Sequence, residues 1–188
     1  MRYSLGFQLK TTILDFPRIR NLCGPFLNLG SGDADVCSAF TVPAKTFHHL
    51  DCDSFNRMKV SLDSDTSQSI IDSSSFQAAT AFFAFSVVLP RVVEELLSLS
   101  HKALAVGCAQ YIWDIDFPAQ NSYGDVEVII FLPNGEVVKR GIPKKTIKSP
   151  RVSDVVQPIA SRLGFRLEKR VNFGDCGLFL KLIKEPCG

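Results

Sequence analysis

Short apolar runs that stop on a glycine or an acid recur along the first part of this chain. They constrain its fold more than any other feature. Pro25-Phe26-Leu27-Asn28-Leu29 ends at Gly30, Thr46 to Leu50 at Asp51, Met58 to Leu62 at Asp63, and Ser69-Ile70-Ile71 at Asp72. The first reads as a buried strand and the others as the second, third and fourth strands. Ala103 to Ala109 reads as a fifth. Between them, Asp35 to Phe40 suits a short helix, and Phe76 to Leu99 suits a longer one broken near Pro90. Alternating strands and helices predict an α/β fold: an open, mostly parallel, doubly wound sheet with helices on both faces. Sheets of this kind bind ligands at the carboxyl ends of their strands.

The rest of the chain reads differently. Val126 to Leu132 and Glu136 to Arg140 flank Pro133-Asn134-Gly135, and two β runs around Asn-Gly predict a hairpin. Ser153 or Asp154 opens a helix that runs to about Leu163 and stops at Gly164. Phe165 to Val171 and Leu178 to Ile183 form a closing pair, antiparallel because the turn between them is short. At 188 residues the chain is sized for a single domain, with the hairpin and a basic loop inserted at about 124–151.

Composition narrows the classes. Hydrophobic residues make up 46% and charged residues 21%, which excludes intrinsic disorder. The net charge of +2 excludes a polyelectrolyte. It is uneven, however: residues 1–100 carry −2 and residues 101–188 carry +4. The greasiest stretch, Phe76 to Leu89, is too short to span a bilayer. Met1 to Phe16 shows no secretory pattern, so an intracellular protein, cytoplasmic or nuclear, is expected. None of the six cysteines has CxxC spacing, which suits reduced thiols. His48, His49 and Cys52 have no evident fourth ligand, so no metal is expected.

Candidate ligand residues cluster at the strand ends. In Leu27-Asn28-Leu29-Gly30-Ser31-Gly32-Asp33 the glycines allow a sharp turn and close approach of a ligand to the backbone. Asp51, 21 residues after Gly30, ends the second strand, where a carboxylate can accept both hydroxyl protons of a ribose. Asp53 is a fallback, Asp63 or Asp65 follows the third strand, and Asp72 the fourth. The alternative is that these acids only cap turns.

Leu-Asn-Leu-Gly-Ser-Gly, His-Leu-Asp-Cys-Asp and Val-Ser-Leu-Asp-Ser-Asp together resemble the small class I S-adenosylmethionine-dependent methyltransferases. The likeness extends to Ser161 to Glu168 and Gly177 to Lys181, which resemble the last helix, sixth strand and reversed seventh strand of that fold. The resemblance implies S-adenosylmethionine as cofactor. Asn28, Gly30, Ser31 and Gly32 would approach its amino-acid part, Asp51 its ribose and Asp63 its adenine. Asp72 and Ser73 would face the methyl donor and the acceptor as catalytic residues. Asn28 replaces the usual acid and Ala34 the third glycine, which keeps a catalytically inactive scaffold as an alternative. A dinucleotide oxidoreductase ranks low, because Asp35 stands where the third glycine of its motif belongs. Lys10 could serve a ribose-methylating lysine set, but the fifth strand offers no second lysine.

Substrate contacts are expected after the fifth strand. Tyr111 and Trp113 are candidates for stacking on a base, or else for packing. Lys139, Arg140, Lys144, Lys145, Lys148 and Arg151 place six cations and no acid in thirteen residues. This run is read as an RNA phosphate contact near the carboxyl edge. A protein contact or a nuclear-import signal is the alternative, as is a small-molecule methyltransferase with the hairpin as part of a lid.

Overall fold

The computed structural model describes residues 7–12, 26–30, 47–52, 58–59, 76–117, 124–131 and 135–186. Its strands are β1 (Phe7–Thr12), β2 (Phe26–Leu29), β3 (Phe47–Cys52), β4 (Met58–Lys59), β5 (Phe76–Phe82), β6 (Leu104–Ile115), β7 (Val126–Phe131), β8 (Val137–Ile142), β9 (Phe165–Phe173) and β10 (Gly177–Lys184). The helices are α1 (Pro90–Ala103) and α2 (Val152–Arg162). Seven strands form one sheet in the order β4-β3-β2-β5-β6-β10-β9. β3, β2, β5 and β6 are parallel, whereas β4 returns antiparallel to β3 and β10 runs antiparallel to both β6 and β9.

The mostly parallel sheet and its reversed final strand match the sequence expectation, but one element does not. Phe76–Phe82 is a strand, not the start of a helix. It lies beside β2 in the middle of the sheet, and six of its seven residues are buried. A strand covered on both faces shows no alternation, and its alanines carry helical propensity. Tertiary pairing overrides that preference. The helix begins only at Pro90, whose missing N–H costs nothing in the first turn. The short helix expected at 35–40 and the strand expected at 69–71 lie outside the described residues.

Two cores sandwich the sheet. On one face Leu27, Leu29, Ala79, Ala81, Ile112 and Leu180 meet Val92, Val93, Leu96 and Leu97 of α1 and Val156 and Ile159 of α2. On the other, Phe26, Phe82, Trp113 and Phe179 meet Val126, Val128 and Ile130 of β7 and Ile142 of β8. Alternate strand residues go to opposite cores, as the pleat requires. The second face is therefore covered by a small sheet, of order β1-β7-β8, where the sequence reading expected helices. The predicted hairpin is present, and β1 pairs parallel to its first strand. Among the described residues no helix is long and apolar enough to cross a membrane.

Candidate functional site

β2 occupies the middle of the sheet, and its carboxyl end turns at Gly30. There φ is +99°, and a side-chain carbon would come within 2.6 Å of the Ala84 Cβ. Only glycine meets both conditions without strain. The turn is tied from below by Asn28, which is buried. Its Nδ2 donates to the Gly30 carbonyl at 3.0 Å, while its Oδ1 accepts from Thr80 Oγ1 at 2.9 Å. The first of these bonds needs a donor, which an ionised aspartate lacks. This gives a physical reason for asparagine where the resembled motif has an acid. On the neighbouring strand Leu50 pairs with Leu29, so Asp51 is one step further and level with Gly30. Ser31, Gly32 and Asp63 lie outside the described residues.

At the carboxyl end of β5 the structure changes the sequence assignment. Asp72 and Ser73 also lie outside the described residues, and they precede the strand beside β2 rather than follow it. Phe83-Ala84-Phe85-Ser86 occupy the post-strand position. Phe83 adopts φ +51°, rare for an aromatic residue, and its N–H donates to the Trp113 carbonyl at 2.7 Å. The N–H groups of Phe85 and Ser86, beyond Ala84, donate to the Asp114 carboxylate at 2.7 and 3.2 Å, and the Ile115 N–H adds a third donor at 2.8 Å. Asp114 is wholly buried, and desolvation raises its pKa to about 6 against the pull of these bonds. Sequence reasoning missed both this loop and its anchor. The available signal was Ser86 and Pro90 closing a run of alanines and phenylalanines.

Tyr111 and Trp113 do not follow the fifth strand. β6 continues to Ile115, and both rings are buried. Trp113 stacks on Phe82 at 4.7 Å and lies 5.0 Å from Phe179. They are core residues, because the sheet face they occupy is covered by the small sheet.

The basic run divides in two. Lys139 and Arg140 stand on β8, opposite Ile129 and Val128. Lys144, Lys145 and Lys148 are exposed in the segment that returns to the central sheet. That segment is anchored at the carboxyl edge. The N–H groups of Lys148 and Ser149 donate to the Ser86 carbonyl at 2.7 and 3.0 Å. Phe117 N–H donates to the Pro150 carbonyl at 2.8 Å, and Arg151 bridges to Asp116. The loop that Asp114 holds is thus also the dock of the lysine segment. Lys10 lies in β1, opposite Ile129, outside the central sheet. Among the described residues no three His, Cys, Asp or Glu side chains gather to hold a metal.

With this edge defined, comparison with known proteins is informative. No family model matches the sequence, and no curated protein matches it. Solved structures do match. A SAM-dependent methyltransferase from Methanosarcina mazei aligns over 93% of this chain and 99% of its own at TM-score 0.56 and 14% identity. A DhpI–SAH complex aligns over 91% and 82% at TM-score 0.53 and 17% identity. The 16S rRNA (adenine(1408)-N(1))-methyltransferase W203A mutant from Catenulisporales acidiphilia aligns over 92% and 91% at TM-score 0.53 and 14% identity. At these identities the likeness is one of fold. The chain has the fold of the class I S-adenosylmethionine-dependent methyltransferases.

Proposed function

We propose that this chain is an S-adenosylmethionine-dependent methyltransferase whose acceptor is RNA. One observation carries the reading: the Gly30 turn, the loop 83–86 and the lysine segment meet at a single edge of the sheet. The residues there fit the cofactor. A backbone without a side chain at Gly30 and a carboxylate at Asp51, level with it on the next strand, suit an amino-acid group and a ribose respectively. The bound cofactor supplies an electrophilic methyl group. The chain's own part is to orient it: Asn28 fixes the Gly30 carbonyl, and Asp114 fixes the loop facing it. Phe83, Ala84 and Phe85 bring no titratable group, which suits an acceptor that is nucleophilic already, with positioning supplying the rate. The exposed lysines beside the loop suit a polyphosphate acceptor.

A second reading, a non-catalytic scaffold, draws on the same loop, which carries no acid or base. Calorimetric titration with S-adenosylmethionine, S-adenosylhomocysteine and NAD separates the two. Micromolar binding of the first two, with none of NAD, is the expected result. Asp51→Ala should weaken it roughly 10- to 100-fold, the cost of a lost charged hydrogen-bond acceptor. Absence of binding in folded protein would make the scaffold the leading reading. Unchanged affinity in Asp51→Ala would remove the ribose role.

A further inference from the structure

The aromatic residues expected to stack on a substrate are buried, while another aromatic is not. Phe131, at the end of β7, is 43% exposed, and its register partner Val137 on β8 is 48% exposed. The pleat divides the hairpin into two faces. Val126, Val128, Ile130 and Ile142 point into the core, whereas Glu127, Phe131, Val137, Lys139 and Gly141 are exposed. On the outer face the exposed Phe131–Val137 pair is followed by the Ile129–Lys139 pair, of which Ile129 is buried and Lys139 exposed. β8 is an edge strand, and it runs on through Pro143 into Lys144, Lys145 and Lys148; the last of these donates its backbone N–H to the Ser86 carbonyl at the carboxyl edge of the central sheet. Six residues of strand span about 20 Å. Glu127 is the acid of this face within the strands and lies on β7; exposed Glu136 precedes Val137, and Asp125 accepts the Lys144 N–H at 2.8 Å.

An exposed ring followed by a line of cations is the combination that holds single strands: bases stack on the ring while phosphates follow the charge. We infer that the outer face of the β7–β8 hairpin is a single-stranded RNA track, on which Phe131 stacks a base and Lys139, Lys144, Lys145 and Lys148 follow the backbone toward loop 83–86. The inference rests on the RNA reading above and adds to it the strandedness of the substrate and its path. A duplex, whose bases are already stacked within the helix, gains nothing from Phe131.

The test measures fluorescence anisotropy of an unstructured oligoribonucleotide of about ten nucleotides, and of its duplex, across a salt series. For the full-length protein, Phe131→Ala should weaken single-strand binding about tenfold, leave duplex binding unchanged and leave the salt slope unchanged. Phe131→Tyr should restore the binding, since it keeps the ring. Changing Lys139, Lys144, Lys145 and Lys148 to Gln should instead flatten the salt slope. If Phe131→Ala binds both RNAs as the parent does while the lysine variant loses them, the track is overturned and RNA binding by charge alone stands. If the parent protein binds neither RNA, both the track and the RNA acceptor fall, and cofactor binding remains a separate measurement. A concentration-dependent dimer that Phe131→Ala abolishes, without effect on RNA, would make this face a contact between copies and overturn the track.

Discussion

A buried carboxylate such as Asp114 is tolerable only when its oxygens are satisfied, and here three backbone N–H groups do so. Two of them belong to the loop after β5, so the side chain acts as a clamp on the carboxyl edge of the sheet. Its pKa stands near 6, above the ordinary 3.8, because burial disfavours the charge. The folded state thus binds this proton more tightly than the unfolded chain. Stability from this group is fully present below pH 3.8 and is lost as pH rises through about 6. Asp114→Asn removes the dependence. The melting temperature of the parent relative to that variant should therefore be highest near pH 4 and should decline up to pH 6, where it levels off. A constant difference across this range would show that the site does not titrate there. None of this was legible in the sequence, where Asp114 was only an acid beside an aromatic.

At the scale of elements, α2 shows a helix whose start depends on a distant strand. Its N-cap residue, Arg151, makes no side-chain cap. The Ser153 N–H and hydroxyl donate instead to Asp116, at 2.9 and 2.8 Å, and Arg170 of β9 pairs with the same carboxylate at 3.1 Å. Asp116 is mostly buried, so these bonds are little screened. Asp116→Ala should destabilise the protein by about 1–2 kcal/mol, the cost of a lost cap, as measured by urea unfolding. A loss below a few tenths would assign the start of α2 to packing alone. The end of α2 needs no such help: Gly164 takes φ +87° and stops the helix, as its sequence position indicated. Pro158 inside α2 did not mislead the reading, since it is exposed and the bond it omits lies on the solvent side. β5 did mislead it, because a strand buried on both faces has no period-2 signature.

At the scale of the molecule, the small sheet closes the second core. Its inner residues are as buried as those of the central strands: Val128 is at 0% and Ile130 at 1% exposure. The hairpin is therefore part of the core and not an appendage. Ile130→Ala should cost about 2–5 kcal/mol. Val137→Ala, on the outer face of the same hairpin, should stay within about 0.5 kcal/mol. Equal, small effects in the two variants would show that the small sheet folds independently of the central one. The same closure buries Tyr111 and Trp113, and among the described residues it leaves the Phe131 ring exposed.

Local patterns alone determined what depends on neighbours in the chain. These are the β2 run ending at Gly30, the Asn-Gly hairpin, α2 with its glycine stop and the antiparallel closing pair. Together they were enough to indicate an open, mostly parallel α/β sheet, because turn chemistry and hydrophobic period are short-range; the class I fold came from the resemblance of the motifs at the strand ends. Tertiary structure alone decided which strand stands beside β2, which aromatics are covered and where the lysine segment docks. Those outcomes follow from contacts between residues tens of positions apart, such as Phe85 with Asp114, Lys148 with Ser86 and Val128 with the face of the central sheet. No local propensity encodes them.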